Sequence, residues 1–180
     1  MSNVFFISDL HFGHKRITEF QGASERLKRL GDDYIENAHI IINNWNKVVS
    51  KKDLVWVLGD VAFSQEGFEW LKELKGRKKL VRGNHDNYFP TKDWLSIFET
   101  VEGITNYKGY WLSHCPIHPQ EIRNRLGNIH GHTHSNLVVN QYTGEWDRKY
   151  INVCVEWTRH IPISFDMIKS GEYQKCFEEK

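Results

Sequence analysis

The sequence predicts an α/β fold whose first half is a largely parallel sheet, with a mixed or second sheet after it. Three observations carry this: short apolar runs that end in polar residues, amphipathic helical periodicity between those runs, and a change of pattern after His134. The order strand, helix, strand, helix, strand implies right-handed crossovers. Functional residues of such sheets gather beyond the carboxyl ends of the strands.

Val4 to Ile7 is the first apolar run and stops at Ser8-Asp9; Leu54 to Leu58 is the second and stops at Gly59-Asp60. Between them Tyr34, Ile35, Ala38, Ile41, Ile42, Trp45, Val48 and Val49 repeat at the spacing of one helical face, with Asp33 and Glu36 placed as a capping box. A second helix should begin at Ser64, turn Phe68, Leu71 and Leu74 inward, and end at Gly76. A shorter third is expected over Thr91 to Phe98. Lys79 to Arg82, Tyr110 to Leu112 and Asn128-Ile129 repeat the strand-then-polar design before Gly83-Asn84, Ser113-His114 and His130-Gly131. Leu137 to Val139 and Tyr150 to Val155 flank Thr143-Gly144 as an expected antiparallel hairpin, and Ser164 is placed to cap a last helix through Asp166, Met167 and Ile168.

A length of 180 residues fits one domain over 1–180, and no linker or repeat interrupts it. Seven Trp, seven Tyr and ten Phe supply enough surface to bury, which argues against disorder. With 24 Lys+Arg against 23 Asp+Glu, a net charge of +1 gives no global field for nucleic acid or an anionic membrane. Long polynucleotides are disfavoured as partners, because no basic groove-lining segment exists. No apolar run approaches the ~20 residues of a membrane span, and three scattered cysteines (Cys115, Cys154, Cys176) suit a reducing compartment. A cytoplasmic protein is expected.

The polar residues at the strand ends are metal-ligand types: Asp9-Leu10-His11, Gly59-Asp60, Gly83-Asn84-His85-Asp86, His114, and Gly131-His132-Thr133-His134. Carboxylate oxygen with neutral imidazole suits divalent Mn, Fe, Co, Ni or Zn. Seven candidates (Asp9, His11, Asp60, Asn84, His114, His132, His134) exceed a four-ligand zinc site, and two adjacent metals use them better.

In that order the residues resemble the calcineurin-like metallophosphoesterase superfamily, whose motifs run D-x-H, G-D, G-N-H-D/E, H, G-H-x-H. SDLHFGHKRI, ELKGRKKLVRGNHD, INVCVEW and PISF extend the likeness to its compact single-domain subgroup across nearly the whole chain. The resemblance implies a four-layer αββα sandwich of two mixed sheets flanked by helices. It implies two divalent ions, manganese foremost, one held by Asp9, His11 and His134, the other by Asn84, His114 and His132, with Asp60 bridging. A metal-bridging hydroxide would attack phosphorus, and His85 would assist the leaving group. Asp86 would orient His85 or serve as a turn residue. Cys154 stands where many such relatives have Gly, a departure expected to touch no ligand.

His14, with Lys15 or Arg16, is a candidate contact to a substrate phosphate. His130 could support a ligand from behind, His118 reads as a loop residue, and His39 and His160 read as structural. With little room for a capping domain, the cleft should be open and the substrate a small, nucleotide-like phosphodiester; a phosphomonoester is the close rival. A cysteine phosphatase loop fails, because the Arg it needs at position 121 is Glu121. No phosphate-binding or dinucleotide glycine motif occurs. A non-catalytic scaffold of the same fold, as in the retromer complex, lacks the catalytic histidine that His85 supplies here.

Overall fold

The structure is a computed structural model that describes residues 2–19 and 27–175. Its first sheet runs β4(Val101–Glu102), β3(Arg77–Val81), β2(Leu54–Val57), β1(Val4–Ile7), β9(Ile163–Ser164). All its pairs are parallel except β9 against β1. The second sheet runs β5(Ile104–Tyr107), β6(Tyr110–Ser113), β7(Gly127–His130), β8(Tyr150–Asn152), with only β5 antiparallel to its neighbour. Helices α1(Tyr34–Val48), α2(Gln65–Trp70) and α3(Thr91–Trp94) serve the first sheet. The segment around α4(Pro119–Ile122) covers the second sheet's outer face, where Ile117 accepts from the Tyr150 hydroxyl and Glu121 from the Trp111 indole. These are two mixed sheets flanked by helices, as the resemblance implied.

Side-chain alternation explains the layering. Phe5, Ile7, Val55, Val57 and Leu80 point to α1, whose Ala38, Ile41, Ile42 and Trp45 are buried. Phe6, Trp56, Leu58 and Val81 point the other way, to Leu112, Ile129 and Ile151 of the second sheet. The central strands β1 and β2 are therefore buried on both faces, which is why they read as unbroken apolar runs. Ile35 and Val48, assigned to the apolar face of α1, lie at its exposed margins. Asp33 caps α1 by accepting from the backbone N–H groups of Ile35 and Glu36, while Glu36 reaches back to Asp32 rather than Asp33. Ser64 caps α2, a short 3-10 turn (Leu71–Glu73) extends it, and Gly76 at φ +86° lets the chain leave.

Three expectations change. The third helix is only Thr91–Trp94. The hairpin around Thr143-Gly144 shrinks to one antiparallel bridge, Val139 with Trp146. Tyr150–Asn152 pairs instead in parallel with β7, because Ile129 and Ile151 then share the inter-sheet core. α5(Val155–Thr158) follows it, and Ser164 caps α6(Phe165–Lys169) as expected, ahead of α7(Glu172–Lys175). Cys176 lies outside the described residues.

Candidate metal centre

The parallel strands β1, β2, β3, β6 and β7 all discharge at one end of the sandwich. Asp9, His11, Asp60, His132 and His134 take φ values of 60, 52, 54, 69 and 47°. The left-handed region is sparsely used by such residues and persists only where surroundings enforce it. Five of the seven expected ligands therefore sit on sharp turns off strand ends. Glycine makes room for them: a Cβ on Gly83 would lie 2.2 Å from Asp60 Oδ1, and one on Gly131 would lie 2.4 Å from Asp9 Oδ2.

The seven side chains converge. His11 Nε2 lies 3.7 Å from Asp9 Oδ1 and 3.8 Å from Asp60 Oδ2. His134 Nε2 lies 3.8 Å from Asp9 Oδ1. His114 Nε2 is 3.4 Å from Asp60 Oδ2 and 2.9 Å from Asn84 Oδ1, and its ring meets that of His132 at 5.0 Å. Donors ~2.1 Å from a shared ion are themselves roughly 3–4 Å apart. Asp60 Oδ2 faces both His11 and His114, the position a bridging oxygen requires.

The residues fit divalent cations on a further ground. Asp9 Oδ1 and both ring nitrogens of His11 are buried yet have no hydrogen-bond partner among the described residues. Such groups are costly unless a partner is supplied. Burial pushes the His11 imidazole down to about 4, keeping it neutral, the form that donates to a metal. For Asp9, burial resists ionisation, but the nearby His11, His114 and His134 imidazoles hold its carboxyl well below the usual range. Burial disfavours a charged His114, yet the Asp60 hydrogen bond and the Asp9 and Asp60 carboxylates raise it to about 9. A proton there compensates carboxylate charge that a cation would otherwise neutralise.

His85 is exposed at the rim, and its backbone N–H donates to Asp60 Oδ1 at 2.9 Å. Asp86 is fully buried, and its oxygens accept from the backbone N–H groups of Asp60, Val61 and Gly83 at 2.9, 2.9 and 2.7 Å. The Asp86 carboxylate thereby ties the β2 loop to the β3 loop. Burial raises its carboxyl above the usual value. The His14 ring stands 5.8 Å from that of His11, whereas Arg16 is exposed and paired with Glu19 at 2.7 Å. His118 caps α4, His130 is buried with Nδ1 on the Gly131 carbonyl, and His160 Nε2 accepts from the Leu30 N–H.

The sequence reading missed four contributors. Cys154, expected to touch no ligand, donates its thiol to Asp9 Oδ2 at 3.1 Å. Glu156 accepts from His134 Nδ1 at 3.0 Å, and Arg29 binds Glu156 at 2.8 Å. Phe63 stacks on His11 at 4.7 Å and packs near His85 and Tyr88. A glutamate inside the apolar run INVCVEW was the available signal for Glu156, since a buried charge demands a partner.

Residues 2–172 match the calcineurin-like phosphoesterase family. The chain belongs to that family. Gene 66 protein of Mycobacterium phage L5 is 32% identical to this phosphoesterase over 198 aligned positions, covering 89% of this chain and 90% of the phage protein. An uncharacterised protein of Methanocaldococcus jannaschii is 33% identical over 174, covering 93% and 90%. A solved protein of unknown function from Aquifex aeolicus superposes with a TM-score of 0.65 at 27% identity, over 94% of this chain and 99% of that one. Family membership makes the chain a metal-dependent phosphoester hydrolase.

Proposed function

We propose that this phosphoesterase hydrolyses small, nucleotide-like phosphodiesters as one catalytic domain with a dinuclear centre, its oxygen and imidazole donors suiting divalent Mn, Fe, Co, Ni or Zn and the family resemblance favouring manganese among them. The observation that carries the reading is the convergence of seven donor side chains around Asp9 Oδ1 and the His11 ring nitrogens, which are buried without a hydrogen-bond partner among the described residues. Asp9, His11 and His134 would hold one ion, Asn84, His114 and His132 the other, and Asp60 both. When bound, such ions lower the pKa of water and neutralise phosphate oxygens.

The chain's own residues do the rest. In the hydrolysis, a water oxygen bonds to phosphorus as the bond to the leaving alcohol breaks. His85, fixed through its backbone to Asp60, gives a proton to the departing oxygen. His14, beside His11, contacts a non-bridging phosphate oxygen; Arg16 would first have to leave Glu19. Phe63 lies 5.2 Å from the His85 ring and 5.7 Å from Tyr88, which is 64% exposed. This aromatic shelf offers a nucleobase a stacking surface on the leaving-group side. Free Cys115 and Cys154, together with no described helix long and apolar enough to cross a membrane, support a cytoplasmic site of action.

The test is a metal-supplemented screen of bis-p-nitrophenyl phosphate against p-nitrophenyl phosphate, then cyclic and linear nucleotides. Turnover of the diester above the monoester is expected. The reverse order would make the enzyme a monoesterase, and inertness toward both after manganese loading would refute catalysis.

A further inference from the structure

Glu156, on α5, and Arg29, in the segment before α1, form a buried ion pair. The Glu156 side chain is 7% exposed and that of Arg29 only 1%. Arg29 Nε donates to Glu156 Oε1 at 2.8 Å, and its other nitrogens donate to the backbone carbonyls of Asp9 at 2.6 Å and Leu10 at 3.2 Å. The guanidinium thus grips the backbone at Asp9, which holds a left-handed φ of 60°. The same Glu156 Oε1 accepts from His134 Nδ1 at 3.0 Å, and so turns His134 Nε2 toward Asp9 Oδ1, 3.8 Å away. One carboxylate oxygen therefore joins a strained backbone turn on the first sheet to an imidazole beyond the second.

Among the described residues no buried ion pair beyond the ligands themselves supports the other donor set. His114 is oriented through Nδ1 by a backbone acceptor, the Leu58 carbonyl at 2.7 Å. No contact of Arg29 or Glu156 to Asn84, His114 or His132 exists among the described hydrogen bonds and ion pairs.

We infer that Arg29 and Glu156 are positioning residues for one metal position alone, that of Asp9, His11 and His134, and set its affinity independently of the other. The inference rests on the dinuclear reading above. A charged hydrogen bond from behind fixes an imidazole's tautomer and ring angle, and losing it costs roughly 10–100-fold in metal affinity.

The test measures manganese binding by calorimetry and by metal analysis after dialysis. Glu156→Gln keeps an acceptor but not the charge, so a loss of roughly ten-fold at one position is expected. Because it leaves Arg29 buried without a counter-charge, the paired variant R29M/E156L is the control for folding: it replaces the ion pair by apolar groups, a change buried pairs often tolerate. In that variant, one of two ions should bind roughly 100-fold more weakly and the other as in the wild type. Adding Asn84→Ala should then strip the remaining ion, while adding His11→Ala should leave it. Two ions retained at wild-type affinity in folded R29M/E156L, or both weakened equally, would overturn the inference. A wild-type protein that takes up only one ion or none would instead overturn the dinuclear reading.

Discussion

The two halves of the candidate centre are built differently. Asp9 and His11 are 0% and 7% exposed and are braced by side chains: Arg29 on the Asp9 carbonyl, Cys154 on its carboxylate, Glu156 on His134. Asn84 and His132 are exposed, and their half is braced through backbone groups, the Leu58 carbonyl that holds His114 and the loop N–H groups of Asp60 and Gly83 that donate to the Asp86 carboxylate. A site braced by backbone needs glycine and a turn close by in sequence. A site braced by side chains needs partners that any part of the chain can supply. The first kind leaves a motif; the second leaves almost none.

Asp60 should break the comparison, because it serves both halves. Asp60→Asn keeps an acceptor for the His85 N–H but loses the bridging charge, so metal analysis should find both ions depleted and turnover reduced to background. Retention of two ions would remove Asp60 from its bridging place.

His85 belongs to neither half. His85→Ala should keep the metal content of the wild type while turnover falls ~10²–10⁴-fold. Undiminished turnover would take His85 out of the reaction.

Both halves were legible to different degrees. The β1 and β2 runs were readable because doubly buried strands are continuously apolar, whereas β3, β6 and β7, with polar residues inside them, were marked chiefly by the Asn, His and Gly at their exits. The two-residue strands Val101–Glu102 and Ile163–Ser164 were not, since two residues hold no period. The hairpin was misjudged on a local turn. The turn exists, with Gly144 N–H on the Asn140 carbonyl, but Tyr150–Asn152 found its partner in β7. Arg29 and Glu156 stand 127 positions apart and Cys154 and Asp9 stand 145 apart. No spacing rule reaches across such intervals.

Acid should sharpen the contrast by acting on what lies behind the buried half. His160 is buried and accepts from Leu30 next to Arg29. Burial, and then the Arg29 charge, push it down to about 4. The unfolded chain binds the proton near 6.5 and the folded chain only near 4, so stability is greatest above pH 6.5 and falls as pH drops toward 4. Urea unfolding should show a loss on the order of 1–3 kcal/mol from this group between those limits. His160→Gln, which keeps an acceptor for Leu30, should flatten the slope; an unchanged slope would show that His160 does not carry it.

The smallest effect concerns the aromatic shelf beside His85. Tyr88→Ala should raise KM roughly ten-fold for dinucleotides, leave kcat near wild type, and leave simple alkyl phosphodiesters unaffected. Equal changes for both substrate types would assign Tyr88 to folding rather than stacking.

The central claim is that seven side chains from five strand ends enclose a pair of cations. Anomalous diffraction from manganese-loaded crystals tests it most directly. The account predicts two peaks ~3.5–4 Å apart, with an oxygen of Asp60 between them, Asp9, His11 and His134 around one, and Asn84, His114 and His132 around the other. A single peak, or two peaks that do not share Asp60, would contradict it.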